Sequence, residues 1–309
     1  MKKIPLVVVA GATASGKTSL SIELARKFDG EVISCDSMQI YKNLDIGTAK
    51  PTKEEMGTIP HHLLDVAEPW EDFSVERYCA LAHEVVRDVS SRGKLPILAG
   101  GTGLYRDNTI YATSFSAPKR DEALSGELMR FAEENGNEAL FEILKKEDPV
   151  ASEKLHPNDV KRVIRAIETK RTTGQTRHEI DEKSRPDESP YNFVYLAIDM
   201  PRDILYERIE KRVDIMLEDG LLDEVKAHIL PNLSKMSTAA MAIGYREVVW
   251  YYKGLCTYDE MVALLKRNTR RYAKRQLTWL RNNPDVKFID YKNFLQHAES
   301  LIKEARIIE

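Results

Sequence analysis

The chain is predicted to be α/β: a mostly parallel sheet covered by helices, with a helical insertion lobe. Three observations point there. Over the first hundred residues, apolar runs of five to seven residues alternate with helical patterns, the signature of parallel strands joined by crossover helices. The first run, 4–10, leads directly into Gly11-Ala-Thr-Ala-Ser-Gly-Lys-Thr18, a phosphate-binding loop. Strand signals then vanish from about 116 to 190 and return at 193–200.

The elements follow in order. Run 4–10 is apolar throughout, as a strand buried on both faces must be, and 19–28 reads as a helix whose N-terminus points at the bound anion. Strands are expected at 31–35, 62–67 and 95–99. A helix at 74–91 separates the last two, with Ser74 as N-cap and Gly93 as stop. Segments 122–135, 137–146 and 159–172 read as helices, with Asn158 or Asp159 capping the third, and 174–190 is polar and turn-rich. The sheet resumes at 193–200, Pro201 opens a helix running to about Glu218, and the helical C-terminal third holds one last strand at 286–291. The expected organisation is a core of 1–115 and 191–309 around an insertion of 116–190. With the phosphate loop after its first strand, the core is P-loop NTPase-like.

Composition narrows the function. At 309 residues and 42% hydrophobic, the chain can bury a full α/β core. No apolar run approaches the ~20 residues of a membrane span, and Met1-Lys-Lys-Ile-Pro5 leads into a strand rather than a signal peptide. A cytoplasmic location is expected. Cys35, Cys79 and Cys256 are odd in number and far apart, which fits neither a disulfide framework nor a zinc spacing; each is expected to be a buried inert thiol. A net charge of −3 argues against a dedicated nucleic-acid binder, but its distribution is uneven. Seven basic and no acidic residues lie between Lys266 and Arg281, while acidic residues crowd 121–148 and 181–188.

The chemistry is expected at the carboxyl ends of the strands, where ligands bind in an open parallel sheet. In the loop, Gly11, Thr13, Ala14, Ser15 and Gly16 offer backbone N–H groups, Lys17 a mobile cation, and Thr18 a hydroxyl able to hold Mg²⁺ against phosphate oxygens. Asp36, after the second strand, suits a general base or a magnesium ligand. The fourth strand ends in Gly100-Gly-Thr-Gly-Leu-Tyr105, where Thr102 offers one hydroxyl and where a common ATPase would carry a metal-positioning acid. Arg208 and Arg212, one helical turn apart, could close over a diphosphate. Basic helix faces arise from Lys161, Arg162 and Arg165, and from Arg267, Arg270, Arg271, Lys274 and Arg281 with Tyr272 and Trp279 nearby; facing phosphates, they would give salt-sensitive binding. His61 and His62 are adjacent, which suits packing rather than one metal.

Taken together, Asp36-Ser-Met-Gln-Ile-Tyr-Lys-Asn-Leu-Asp-Ile-Gly-Thr-Ala-Lys-Pro51, Pro60-His-His-Leu-Leu-Asp65, Gly100-Gly-Thr-Gly-Leu-Tyr105, His156-Pro-Asn-Asp159, Ala242-Ile-Gly-Tyr245 and the run Thr269 to Arg281 resemble the bacterial tRNA dimethylallyltransferases. The resemblance implies transfer of a dimethylallyl group from dimethylallyl diphosphate to the N6 amine of the adenine just 3′ of the anticodon. It makes Asp36 the base, Thr102 the group that orients the amine, and Mg²⁺ with Thr18 a holder of the diphosphate. It implies tRNA contacts from Asp36, Ser37, Met38, Gln39, Thr102, Lys161, Arg162, Arg165, Gly244, Tyr245, Arg271 and Lys274. The expected partners are the anticodon stem-loop and dimethylallyl diphosphate, with no membrane and a monomeric protein. Three positions depart from the family pattern: Arg106-Asp107-Asn108-Thr109 replaces an apolar helix, Ser125 stands where Arg is common, and Met241 where a polar residue is frequent. The rival readings are a P-loop small-molecule kinase, a prenyltransferase acting on free adenine nucleotides, and a noncatalytic RNA-binding module.

Overall fold

In a computed structural model, residues 3–114, 120–184, 186, 188–236 and 238–307 are described. Two compact units emerge, 1–110 with 189–309, and 111–188. The expected boundary at 115/116 lies outside the described residues.

The first unit is built on six parallel strands, β1 Ile4–Ala10, β2 Gly30–Ser34, β3 His61–His62, β4 Leu95–Ala99, β5 Tyr191–Asp199 and β6 Val286–Asp290, ordered β3-β2-β4-β1-β5-β6. Because β1 is central, its residues from Leu6 to Ala10 are fully buried. On one face, Val7, Val9, Val32, Ile97, Leu196 and Ile198 pack with Leu20 and Leu24 of helix Lys17–Lys27 and with Ala298 and Ile302 of helix Phe294–Glu304. Helix Val75–Ser91 packs on β1, β2 and β4, and the Ser74 hydroxyl accepts from Arg77 N–H as the expected N-cap. The strand expected over 62–67 is only His61–His62: Leu63 and Asp65 turn the chain at φ 61° and 56°, and Ala67 makes just a bridge to Tyr41.

The 106–109 departure is accommodated. Helix Gly103–Ile110 runs through it, and buried Arg106 lies 5.1 Å from the Tyr195 ring centroid. Asp107 accepts from Arg106 Nε at 3.3 Å, Tyr195 Oη at 3.0 Å and Trp279 Nε1 at 2.6 Å. Cys35 and Cys79 are buried as expected, whereas Cys256 is partly exposed. Of the two histidines, His62 Nε2 meets Glu31 at 2.7 Å, and His61 Nδ1 meets Ile59 O at 2.9 Å while its buried Nε2 has no hydrogen-bond partner among the described residues.

The second unit is helical: Glu122–Asn135, Asn137–Glu147, Pro149–Lys154, Val160–Thr173 and Arg177–Ser184. Leu128, Leu140, Phe141, Leu144, Val163, Ile164 and Ile167 form its core. The last helix corrects the turn-rich reading of 174–190. Thr176 Oγ1 accepts from Glu179 N–H at 3.2 Å while the Glu179 carboxylate accepts from Thr176 N–H at 2.6 Å, a reciprocal capping pair that starts a polar helix. Asp159 precedes Val160–Thr173 without a side-chain cap and instead pairs with Arg162 at 3.3 Å. Ser189 Oγ donates to Ile110 O at 2.6 Å, so the first unit's chain resumes beside the point where it broke off.

Candidate active site

The phosphate loop leaves β1 at Gly11 and enters helix Lys17–Lys27 two residues earlier than expected. Gly16, the residue before that helix, has φ 99°, open to glycine without penalty. Ala14 holds φ 64°, a conformation few side chains tolerate and one common at ligand sites. Ser15 N–H donates to Ala12 O at 3.2 Å, closing the loop. The first-turn N–H groups of Lys17 and Thr18 have no intrahelical partner, and both residues line the cavity, where a helix N-terminus suits an anion. The buried Ser15 hydroxyl has no partner among the described residues. Thr13 differs from expectation: its N–H donates to Gln276 Oε1 at 2.8 Å and is not offered to a ligand.

Lys17 Nζ donates to Ala12 O at 2.8 Å. Burial, then the like charge of Arg212, pulls its pKa down to about 7, against an opposing pull from Asp36. Asp36 lies beyond β2, and its Oδ1 accepts from Met38 N–H at 2.9 Å. Burial raises its pKa, while the Met38 and Gln39 N–H groups and Lys17 counteract. The result is a carboxylate more basic than an exposed one yet held in place. Thr102 Oγ1 accepts from Ser37 N–H at 2.9 Å and donates to Ser37 Oγ at 3.3 Å, so it fixes the segment carrying Asp36.

Further anchors hold the segment after β2, none of them expected from the sequence. Gln39 accepts from Ser34 Oγ at 3.0 Å and donates to Thr48 O and Ala49 O at 3.3 and 3.1 Å. The buried Glu224 carboxylate accepts from the N–H groups of Asp45, Ile46 and Gly47 at 2.8, 2.8 and 3.0 Å, and from Tyr245 Oη at 2.8 Å. Tyr245, expected at the RNA, is fully buried; what it touches is Glu224. Gly244 does line the cavity, and its N–H donates to Glu247 at 2.9 Å.

These elements enclose a cavity of about 470 Å³ whose lining includes polar Lys17, Thr18, Asp36, Ser37, Gln39 and Arg212 and apolar Met38, Val213, Met216, Ile243 and Leu265. Arg212 is there as expected; Arg208, one turn away, is exposed and is not in the wall. On helix Tyr258–Arg281, Arg275 reaches the cavity and lies 5.6 Å from the Tyr272 ring centroid, while Arg271 and Lys274 are exposed outside it. The basic face there is partly neutralised, since Lys266 pairs with Asp214 at 2.6 Å and Arg270 with Glu210. In the second unit, Lys161 and Arg162 are exposed, and Arg165 pairs with buried Glu168 at 2.9 Å. Ser125 is buried there, and Met241 is exposed at the mouth of the cavity.

A cationic end, an apolar wall and a basic carboxylate in one cavity define a group-transfer enzyme that works on a phosphorylated apolar donor. Residues 39–283 match the profile of the IPP transferase family, and the chain belongs to that family. It is 47% identical over 301 residues to a tRNA dimethylallyltransferase of Acetivibrio thermocellus, covering 97% of this chain and 96% of the relative. In structure it is similar to the tRNA isopentenylpyrophosphate transferase of Bacillus halodurans, with TM-score 0.74, 42% identity and coverage of 98% and 97%. A eukaryotic dimethylallyltransferase acting on tRNA superposes with TM-score 0.78 at 30% identity, covering 98% of this chain and 77% of the other.

Proposed function

We propose that this protein transfers the dimethylallyl group of dimethylallyl diphosphate to the exocyclic N6 amine of the adenine 3′-adjacent to the anticodon in tRNA, with Asp36 as base. The observation that carries the assignment is the convergence of Lys17, Thr18, Arg212 and Asp36 on one cavity with an apolar wall. Lys17, Arg212 and the N–H groups at the start of the helix hold the diphosphate. The five-carbon chain lies against Met38, Val213 and Met216. As the bond between C1 and the diphosphate oxygen breaks, the adenine nitrogen forms its bond to C1, Asp36 takes the nitrogen's proton, and diphosphate leaves with the electron pair. That amine is a weak nucleophile, so removing its proton as the bond forms contributes ~10²–10⁴-fold. Donors preset around the leaving oxygens stabilise the charge that develops there.

Mg²⁺ suits the donor set. No cluster of three His, Cys, Asp or Glu side chains exists among the described residues. An ion bound by substrate phosphates needs only one or two protein oxygens besides water, and the Thr18 hydroxyl in the cavity wall can supply one. Such an ion, if bound, would neutralise charge on the diphosphate.

Asp36 to Gln39 surround an adenine that has left the base stack, as enzymes acting on a base require. Lys161, Arg162 and Arg165, with Arg271 and Lys274, supply phosphate contacts, and the helical unit grips the anticodon stem-loop. All groups invoked lie on one chain, so a monomer suffices, working in the cytoplasm with its tRNA. Among the described residues no helix is long and apolar enough to cross a membrane. The assignment is tested by incubating the protein with Mg²⁺, dimethylallyl diphosphate and unmodified tRNA bearing adenines around the anticodon. Mass spectrometry should find one prenyl group on one adenine; an adduct on AMP but none on tRNA overturns the reading.

A further inference from the structure

Beyond the groups that touch the reactants, one buried side chain joins the two halves of the site. Gln276, on helix Tyr258–Arg281, is 8% exposed. Its Oε1 accepts from Thr13 N–H at 2.8 Å, and its Nε2 donates to Gly101 O at 3.0 Å. Thr13 belongs to the phosphate loop and Gly101 immediately precedes Thr102. Strands β1 and β4 pair through Val9 and Ala99, and the last backbone bond between the two segments runs from Gly100 N–H to Val9 O at 3.1 Å. Past that point no backbone bond joins the two segments among the described residues. The Gln276 amide then presents one acceptor and one donor, as a peptide group would, and supplies the rung that the ladder lacks.

The surroundings are cut to fit this amide. A Cβ at Gly101 would clash with Gln276 Nε2 and lie 3.6 Å from Asp36 Oδ2. The amide therefore sits close to the carboxylate that receives the proton. One turn earlier, the Tyr272 hydroxyl interacts with both Thr102 and Gln276. A neutral amide also suits the place, since a carboxylate here would add negative charge beside both Asp36 and the diphosphate.

We propose that Gln276 is a positioning residue: by tying Thr13 to Gly101 it sets the distance between the diphosphate grip and the Asp36–Thr102 pair, and so between leaving group and attacking amine. The proposal rests on the function assigned above. Misplacement of reacting groups by about 1 Å costs on the order of 10²-fold in rate. A side chain that merely filled space would alter stability and leave the chemical step alone.

The test measures single-turnover rate, KM for dimethylallyl diphosphate and thermal midpoint for wild type, Gln276→Met and Gln276→Glu. Gln276→Met keeps the volume and loses both bonds. Its single-turnover rate should fall about 10²-fold while KM changes less than threefold. Gln276→Glu keeps the acceptor for Thr13 and places a negative charge near Asp36, which favours the protonated carboxyl. Its pH–rate profile should rise at higher pH than that of wild type. A Gln276→Met rate within threefold of wild type overturns the proposal, as does an unshifted Gln276→Glu profile, which alone decides if the Met variant does not fold. Wild type that prenylates no tRNA overturns the functional assignment itself, and the positioning role with it.

Discussion

The two loops that bound the cavity are held in opposite ways. The phosphate loop is shaped mainly by its own residues: Ser15 bonds Ala12, Lys17 bonds Ala12, and Gly16 and Ala14 take left-handed backbone angles. The segment after β2 is held mostly from elsewhere: Thr102 grips Ser37, and Glu224 gathers three successive N–H groups from 177 to 179 positions away. A grip for phosphate is generic and can be written in eight residues. A pocket that selects and deprotonates one amine must place its parts relative to that grip, which takes long-range ties.

The largest effect is expected from Asp36→Asn. Turnover should fall by ~10³-fold, while calorimetric affinity for dimethylallyl diphosphate stays within a few-fold of wild type. Full activity would remove Asp36 as base and leave the second loop without a chemical role.

Next comes Lys17, on the first loop. With its pKa near 7 in the free protein, the cation that attracts diphosphate is present below about 7 and lost above it. Affinity for dimethylallyl diphosphate should weaken from pH 6 to 8.5, and binding at pH 8 should take up a proton, visible as buffer-dependent enthalpy. Lys17→Met should weaken affinity by ~1.5–3 kcal/mol, the range for bonds to charged groups. An affinity unchanged by this substitution would place the anion elsewhere.

Glu224→Gln probes the remote tie. It removes charge from a buried acceptor of three N–H groups, and amide hydrogen exchange at Asp45 to Gly47 should accelerate, with KM for tRNA rising about tenfold, equivalent to ~1.4 kcal/mol. Exchange in the phosphate loop should stay as it was; if both loops loosen together, they are held as one unit.

The smallest effect is expected at the far end of β2. Arg92 donates a bidentate pair to Glu31 and His62 adds a third bond, pulling Glu31 down to about 2, with the Arg92 bond the main cause. Because its folded pKa lies below its ordinary 4.5, the stabilisation is complete above about 4.5 and lost as pH falls toward 2. Arg92 is 42% exposed, so solvent screening keeps the contribution of the pair small. Urea unfolding of Glu31→Gln should show a smaller loss of stability between pH 5 and 3 than wild type, with turnover at pH 7.5 unchanged.

Legibility in the sequence divides along the same line. Strands β1 and β4 and helix Glu122–Asn135 fall where the patterns place them, because continuous burial or a capping Asp121 acts within a few residues. Lys17, Thr18, Asp36 and Arg212 could be named from a motif, a strand end and a helix pattern, and all four line the cavity. Gln276 lies inside the quoted run Thr269 to Arg281, but its role could not be read there, since Thr13 and Gly101 are 263 and 175 positions away; Glu224 lies outside every quoted run, and the three N–H groups that it holds are 177 to 179 positions away. Tyr245 was visible as a motif residue, but its neighbours are not in that motif. Helix Arg177–Ser184 did leave a trace, Thr176 and Glu179 at capping spacing, which a count of polar residues conceals.

The bond from Ser189 to Ile110 has a consequence for how this chain tolerates change in length. The polypeptide leaves the core and re-enters it at points already in hydrogen-bond contact, so to the sheet the intervening 78 residues, 111 to 188, amount to a hairpin turn of arbitrary size. Closing such a gap costs entropy that grows only with the logarithm of the excursion, about 0.6 kcal/mol for each doubling. Helical hardware at this junction can therefore lengthen or shrink while strand order and register stay fixed.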